Sequence, residues 1–213
     1  MTAARDGSRL FDLAVGALAA PLVLAVLPAV AALIVADDGP PVFFAHERLG
    51  RGRRPFRLVK LRTMRAGRVT RLGRWLRATG IDELPQFLHV LSGKMAVVGP
   101  RPITAADVER LGWQGPDFDA RFGVRPGVTG PVQVAGAISG AVSARLEREY
   151  VATRSLRRDL RYVVLTAGML VLGKRRVQRW VSRPGEAPPQ AKCVGSWRES
   201  ATSRHTSPNF VDL

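Results

Sequence analysis

The stretch "LAVGALAAPLVLAVLPAVAALIVA", residues 13–36, carries no charge. It is longer than the about 20 apolar residues with which a helix crosses a bilayer. Three architectures compete for it: a signal peptide, a spanning helix, and a helix that enters and leaves one leaflet. Arg5, Arg9 and the small residues near its end suit a signal peptide, but its length and Asp12 at its start do not. The flanking charges weigh on the other two. Arg5 and Arg9 precede the run, and Arg48, Arg51, Arg53, Arg54, Arg57, Lys60 and Arg62 head a long basic stretch after it. Basic flanks prefer the cytoplasm. Both ends therefore belong on one side, which a re-entrant helix satisfies better than a span. Pro21 and Pro28 each remove a backbone hydrogen bond and permit a break.

The remainder is long enough for one packed domain within the 213 residues. Lys and Arg number 33 against 17 Asp and Glu, a formal net charge of +16. Such a charge implies an anionic partner: nucleic acid, an anionic membrane surface or phosphorylated substrates. Aromatics make up only 7%, thin for stacking on single-stranded nucleic acid, and no nucleic-acid partner is expected. The single Cys193 excludes a disulfide framework. His46, His89 and His205 show no metal-ligand spacing.

After a Gly-Pro loop at 37–41, "PVFF" and "FRLVKLRTM" read as strands joined by a turn at Gly50–Pro55. "RVTRLGRWLRATG" reads as a helix on which Arg68, Arg71, Arg74 and Arg77 spiral. This is a solvated face or a phosphate-contacting one. Residues 82–92 read as a helix with Leu84, Phe87, Leu88 and Leu91 on its apolar face. "MAVVGPRP" reads as a strand and turn, and 121–136 as a loop and short strand. Residues 141–160 read as a charged helix, and Tyr162–Leu172 as a buried or surface-docked amphipathic one. The polar, Pro-rich stretch from Ser182 onward reads as a disordered tail.

"IDELPQ" (81–86) places two carboxylates side by side in a basic region. Asp82 is a favoured N-cap, and Glu83 in a first turn suits the helix dipole. Adjacent residues on a helix point about 100° apart, so the pair cannot face one another across a scissile bond as in glycosidases. It suits two separate jobs, an attacking carboxylate and a metal partner. A carboxylate can attack phosphorus provided that cations neutralise the electrophile.

The motifs "KLRTM" (60–64), "DELPQ" (82–86), "VGPRP" (98–102) and "RPGVTGPVQ" (125–133) occur in one order, with "RLFDL" (9–13) before them and "EYVATRSLRRDL" (149–160) after them. In this the chain resembles the bacterial sugar transferases of the monotopic phosphoglycosyl transferase superfamily, over residues 9–173. The resemblance implies an α+β architecture. A re-entrant membrane helix (1–38) precedes a small, mostly helical cytoplasmic catalytic domain with a β-hairpin and amphipathic surface helices (39–181), and the tail follows (182–213). It implies transfer of a sugar 1-phosphate from a nucleotide (UDP) diphosphosugar to polyprenyl (undecaprenyl) phosphate, giving polyprenyl diphosphosugar and UMP. The setting would be the anionic cytoplasmic leaflet of the inner membrane, at the start of lipid-linked glycan assembly. By the same resemblance Asp82 is the nucleophile and Glu83 belongs to a Mg²⁺ site. Lys60, Arg62, Arg77 and Arg101 would hold the diphosphate, and Arg125 the nucleotide. The chain departs from the family's usual residues at His46 (Gln), Gly80 (Ser), His89 (Asn), Lys94 (Asp), Ala96 (Ser), Ala135 (Asn) and Glu147 (Asp). These departures leave an inactive scaffold of the same fold as the alternative reading.

Overall fold

A computed structural model describes residues 3–136, 139–173 and 176–178. Helix α1, Ala3–Asp38, contains the whole apolar run and continues through Pro21 and Pro28. Along it Asp12, Gly16, Val23, Val30 and Ile34 are buried, spaced by four and seven residues. That spacing is one stripe of a 3.6-residue helix. Leu10, Leu18, Leu22, Leu24, Leu33 and Val35 lie exposed on the remaining surface. The helix thus lies along the body by one face, and its two ends are tied to that same body. At one end Arg9 donates to the carbonyls of Val90 (2.6 Å) and Leu91 (2.7 Å). At the other, Asp38 pairs with Arg62 and Arg65.

Strands β1 (Phe43–Leu49) and β2 (Pro55–Leu61) form the expected antiparallel hairpin, with Phe44 opposite Lys60 and His46 opposite Leu58. A second, two-residue hairpin follows, β3 (Met64–Arg65) with β4 (Arg68–Val69). Ala66 and Gly67 make its turn at positive φ. The expected helix therefore starts later than Arg68: α2 is Arg71–Thr79, because the Thr70 hydroxyl accepts the Gly73 N–H and caps it there.

The expected helix over 82–92 is corrected too. Asp82 does not cap it; it sits inside a 3-10 turn, Ile81–Glu83, and α3 spans only Gln86–Leu91. Pro85 has no N–H to give to a helical partner, so the chain crosses this point on i→i+3 bonds such as Leu84 N–H to Ile81 O. The expected apolar face is only partly covered: Leu88 and Leu91 are exposed, Leu84 and Phe87 are half-buried, and Gln86, His89 and Val90 face the core.

Strand β5 (Ala96–Val98) pairs in parallel with β6 (Gly127–Thr129). Between them run α4 (Ala105–Leu111) and α5 (Asp119–Phe122). "PVQVA" is a short helix, α6 (Pro131–Ala135), rather than a strand. The expected helix over 141–160 and its apolar successor are cut differently, as α7 (Gly140–Ala152) and α8 (Leu156–Leu172). Ser155 accepts the Arg158 N–H and starts α8 there. The expected tail, 182–213, lies outside the described residues.

The main core gathers Leu58 from β2, Val90 from α3, Met95, Val97 and Val98 around β5, and Tyr150 from α7, with Phe11 and Val15 of α1 packed on it. Val30 and Ile34 of α1 join Leu61 and Leu76 in a second cluster. The β5–β6 pairing needs close backbone approach. A Cβ on Gly127 would meet the Gly99 nitrogen and the Thr129 carbonyl, and neither can move without breaking the Gly99 N–H to Thr129 O bond of 2.9 Å. Gly127→Ala is expected to cost about 2 kcal/mol or more and to lower the melting temperature by roughly 4–8 °C, read by thermal unfolding in detergent.

Candidate active site

Gly80 ends α2 in the left-handed conformation (φ +78°), its N–H bonded to Leu76 O at 2.8 Å. This αL stop turns the chain directly into the 3-10 turn that carries Asp82 and Glu83. Asp82 is 7% exposed. Glu83 faces β2, where the Lys60 ammonium donates to its Oε1 at 2.7 Å. The turn and the hairpin therefore bring the expected acidic pair to one of the expected cations.

The other expected residues sit as follows. Arg77 donates from Nε to the Thr63 hydroxyl at 2.8 Å. It reaches there because Gly73 lets α2 rest against the Thr63 backbone. Arg62 is buried and donates to the carbonyls of Asp38 and Gly39 at the end of α1. Arg125 pairs with Asp12 at 2.8 Å. Arg101 keeps an exposed side chain near Arg48, while its backbone is held from below.

That hold is a network of which the motifs pointed only to Glu147, as a departure from the family's usual Asp, without giving it a role. Glu147, 2% exposed, accepts the Arg101 N–H at 2.8 Å and pairs with Arg121 at 2.7 Å. Arg121 in turn donates to Arg101 O. One turn further along α7, the Tyr150 hydroxyl donates to Asp159 (2.6 Å) and lies 3.1 Å from Val98 O. The Glu-x-x-Tyr spacing was the available signal: a buried carboxylate and phenol on one helix face. Asp12 was also available, as a carboxylate at the very edge of the uncharged run. It accepts the Val97 N–H at 2.8 Å.

The histidines differ from each other. Burial, then nearby Lys94, lowers the pKa of His89, whose Nε2 accepts the Val59 N–H at 3.2 Å. It fastens α3 to β2. His46 is pushed down to about 4 by burial, then by Arg48 and Lys60, and both of its ring nitrogens are buried without a hydrogen-bond partner. Lys94 is exposed. No group of three or more His, Cys, Asp or Glu side chains gathers among the described residues.

Residues 4–173 match the family of bacterial sugar transferases. The chain belongs to that family. Its relatives include the UDP-glucose:undecaprenyl-phosphate glucose-1-phosphate transferase of Caulobacter vibrioides, 41% identical over 73% of this chain and 64% of that protein. The UDP-galactose-lipid carrier transferase of Erwinia amylovora is 34% identical over 76% of this chain and 40% of its own length. An Aeromonas hydrophila UDP-N-acetylgalactosamine-undecaprenyl-phosphate N-acetylgalactosaminephosphotransferase is 34% identical over 76% and 43%. This bacterial sugar transferase thus spans under two thirds of the length of the relatives it matches.

Two consequences of the geometry are measurable. Glu147→Ala strands the buried Arg121 and releases the Arg101 N–H; a loss of about 3–5 kcal/mol is expected in denaturant unfolding. Asp107, at N3 of α4, lies in a capping box with Thr104. Burial would raise its carboxyl, but hydrogen bonds from Arg110 and Thr104, and Arg48 nearby, outweigh that and hold it at about 2. A carboxyl depressed on folding stabilises above its unfolded pKa, near 4, and loses that contribution as pH falls towards 2. Asp107→Asn should therefore melt below the parent protein at pH 5–7, with the two curves converging as pH approaches 2.

Proposed function

We propose that this bacterial sugar transferase moves a sugar 1-phosphate from a UDP-sugar to polyprenyl phosphate, releasing UMP, with Asp82 as the nucleophile. The observation that carries this reading is the buried Asp82 beside Glu83, with Lys60 bonded to Glu83, in a member of this family. The activities named for the relatives support the reaction class: each pairs a UDP-sugar or a lipid carrier with sugar or sugar-phosphate transfer.

In the first half-reaction an Asp82 oxygen attacks the phosphorus that bears the sugar. The bridging oxygen leaves with the nucleotide as UMP, and an acyl phosphosugar forms on Asp82. In the second, a phosphate oxygen of the polyprenyl phosphate attacks the same phosphorus, and the carboxylate of Asp82 leaves. Each half breaks one phosphorus–oxygen bond and makes one, so neither needs an oxidant or a further reactant. Lys60 and the exposed Arg101 supply positive charge to oxygens that gain charge as the bridge breaks. The rigid Glu147–Arg121 support keeps Arg101 in place.

The donor set fits Mg²⁺, which usually takes one or two carboxylates and fills its shell with water and substrate phosphate oxygens. Glu83 would hold it, next to Asp82. When bound, it supplies charge neutralisation to the diphosphate.

Two surfaces support the membrane setting. Exposed leucines run along α1, and Leu156, Leu160 and Val164 form an exposed stripe at i, i+4, i+8 on α8, with Arg157, Arg158 and Arg161 beside it. An apolar stripe flanked by arginines suits the interface of an anionic leaflet. With both ends of α1 tied to one body, a monotopic enzyme facing the cytoplasm of the inner membrane satisfies the charges.

Asp82→Asn should lower UMP release, from a panel of UDP-sugars with undecaprenyl phosphate, by about 10³-fold or more. Undiminished turnover in that variant would remove Asp82 from the chemistry.

A further inference from the structure

We infer that His46 binds the sugar of the donor substrate, through a hydroxyl group. This rests on the reading of the chain as a UDP-sugar-dependent transferase, and adds to it the residue that reads the sugar.

The argument starts from strand geometry. Alternate residues of a strand share a face, and so do residues directly opposite in an antiparallel pair. Phe44, His46 and Arg48 therefore share a face of the hairpin with Lys60, which is opposite Phe44, and with the buried Leu58, which is opposite His46. Lys60 is the residue bonded to Glu83. His46 is thus one strand repeat, about 7 Å, from the Phe44–Lys60 pair. That is the distance from a phosphoryl group to the far hydroxyls of the sugar it carries.

The side chain itself has unspent hydrogen-bonding capacity. A neutral imidazole has one donor and one acceptor nitrogen. Both nitrogens of His46 are buried without a partner, and on the same face the Nε of Arg48 is buried without one as well. Buried polar groups are nearly always satisfied, so two such residues side by side ask for a reason. His89 provides the contrast, for its Nε2 is occupied by the Val59 N–H. The His46 ring is stacked on Phe44 at 5.3 Å, which orients it. The residue as a whole is only part-buried, and binding requires the ring to turn about χ2, off Phe44, so that a nitrogen reaches the surface.

The neighbours determine what it would bind. Burial, and then the flanking Arg48 and Lys60, keep it uncharged. With the phosphate oxygens at Lys60 and Arg101, the neutral ring is left for a neutral group. A hydroxyl, which both donates and accepts, matches a ring offering one of each.

The test uses the full chain in detergent with Asp82→Asn, so that no turnover obscures binding. UDP, UDP-glucose, UDP-galactose and UDP-N-acetylgalactosamine are titrated calorimetrically against this protein and against the same protein with His46→Ala or His46→Gln. His46→Ala should weaken the preferred UDP-sugar by about 3- to 10-fold, the range of one neutral hydrogen bond, and leave UDP unchanged. His46→Gln, which keeps a donor and an acceptor, should restore part of the affinity or change the order of preference among the sugars. It also serves if the alanine variant does not fold. Equal weakening of UDP and UDP-sugar, or no change in either, overturns the assignment of His46 alone. If no UDP-sugar binds the His46-containing protein and the unmutated chain releases no UMP, the transferase reading falls with it.

Discussion

The carboxylate of Asp12 is the constraint on which the arrangement depends. It sits at the start of the apolar helix, 1% exposed. Removing a charge from water costs several kcal/mol unless partners replace the solvent. Here the partners come from two other parts of the chain: the N–H of Val97 in β5, and the guanidinium of Arg125 just before β6. Satisfying one side chain therefore fixes the first turns of α1 against the parallel strand pair. Arg9, one turn earlier, closes the C-terminal end of α3, where a cation is favoured by the helix dipole. A helix apolar enough to leave the body for a bilayer is thus fastened to it by its few polar residues.

A second support lies on the other side of β5. Glu147 and Tyr150, one turn apart on α7, reach the Arg101 N–H and the Val98 carbonyl. The strand is held at one end through Asp12 and at the other through α7. The loop that carries Arg101 leaves from this fixed strand. A buried ion pair such as Glu147–Arg121 adds little net stability over an apolar pair, but it leaves the loop few alternative positions. For the proposed site, which would place cations around a diphosphate, position matters more than added stability.

Much of the site was legible from local chemistry. The first hairpin followed from β-formers on either side of a Gly-Arg-Pro turn, and α2 was read as a helix, though begun too early, before the Thr70 cap. The family followed from the order of the motifs. The errors have separate physical causes. Pro85 divided what periodicity read as one helix, because a missing N–H is invisible to a pattern of apolar residues. Leu88 and Leu91 looked like a core face, yet they share the outward-facing apolar character of α1, and periodicity cannot distinguish burial in protein from another apolar setting. Ser155 divided the late helix by capping it.

Residue order by itself determined the family, the acidic pair, the excess of cations and an apolar helix with basic residues on both sides. These are properties of short stretches and of composition, and they need no long-range contact. Only the tertiary structure decided the roles within that set. Of the many cations, Lys60 meets Glu83, Arg62 closes the end of α1, Arg125 neutralises Asp12, and Arg121 supports the Arg101 loop from Glu147. In sequence these residues are alike, each an arginine or lysine in a basic chain. What separates them is the partner across tens of residues, and that partner exists only once burial forces every enclosed charge to find one.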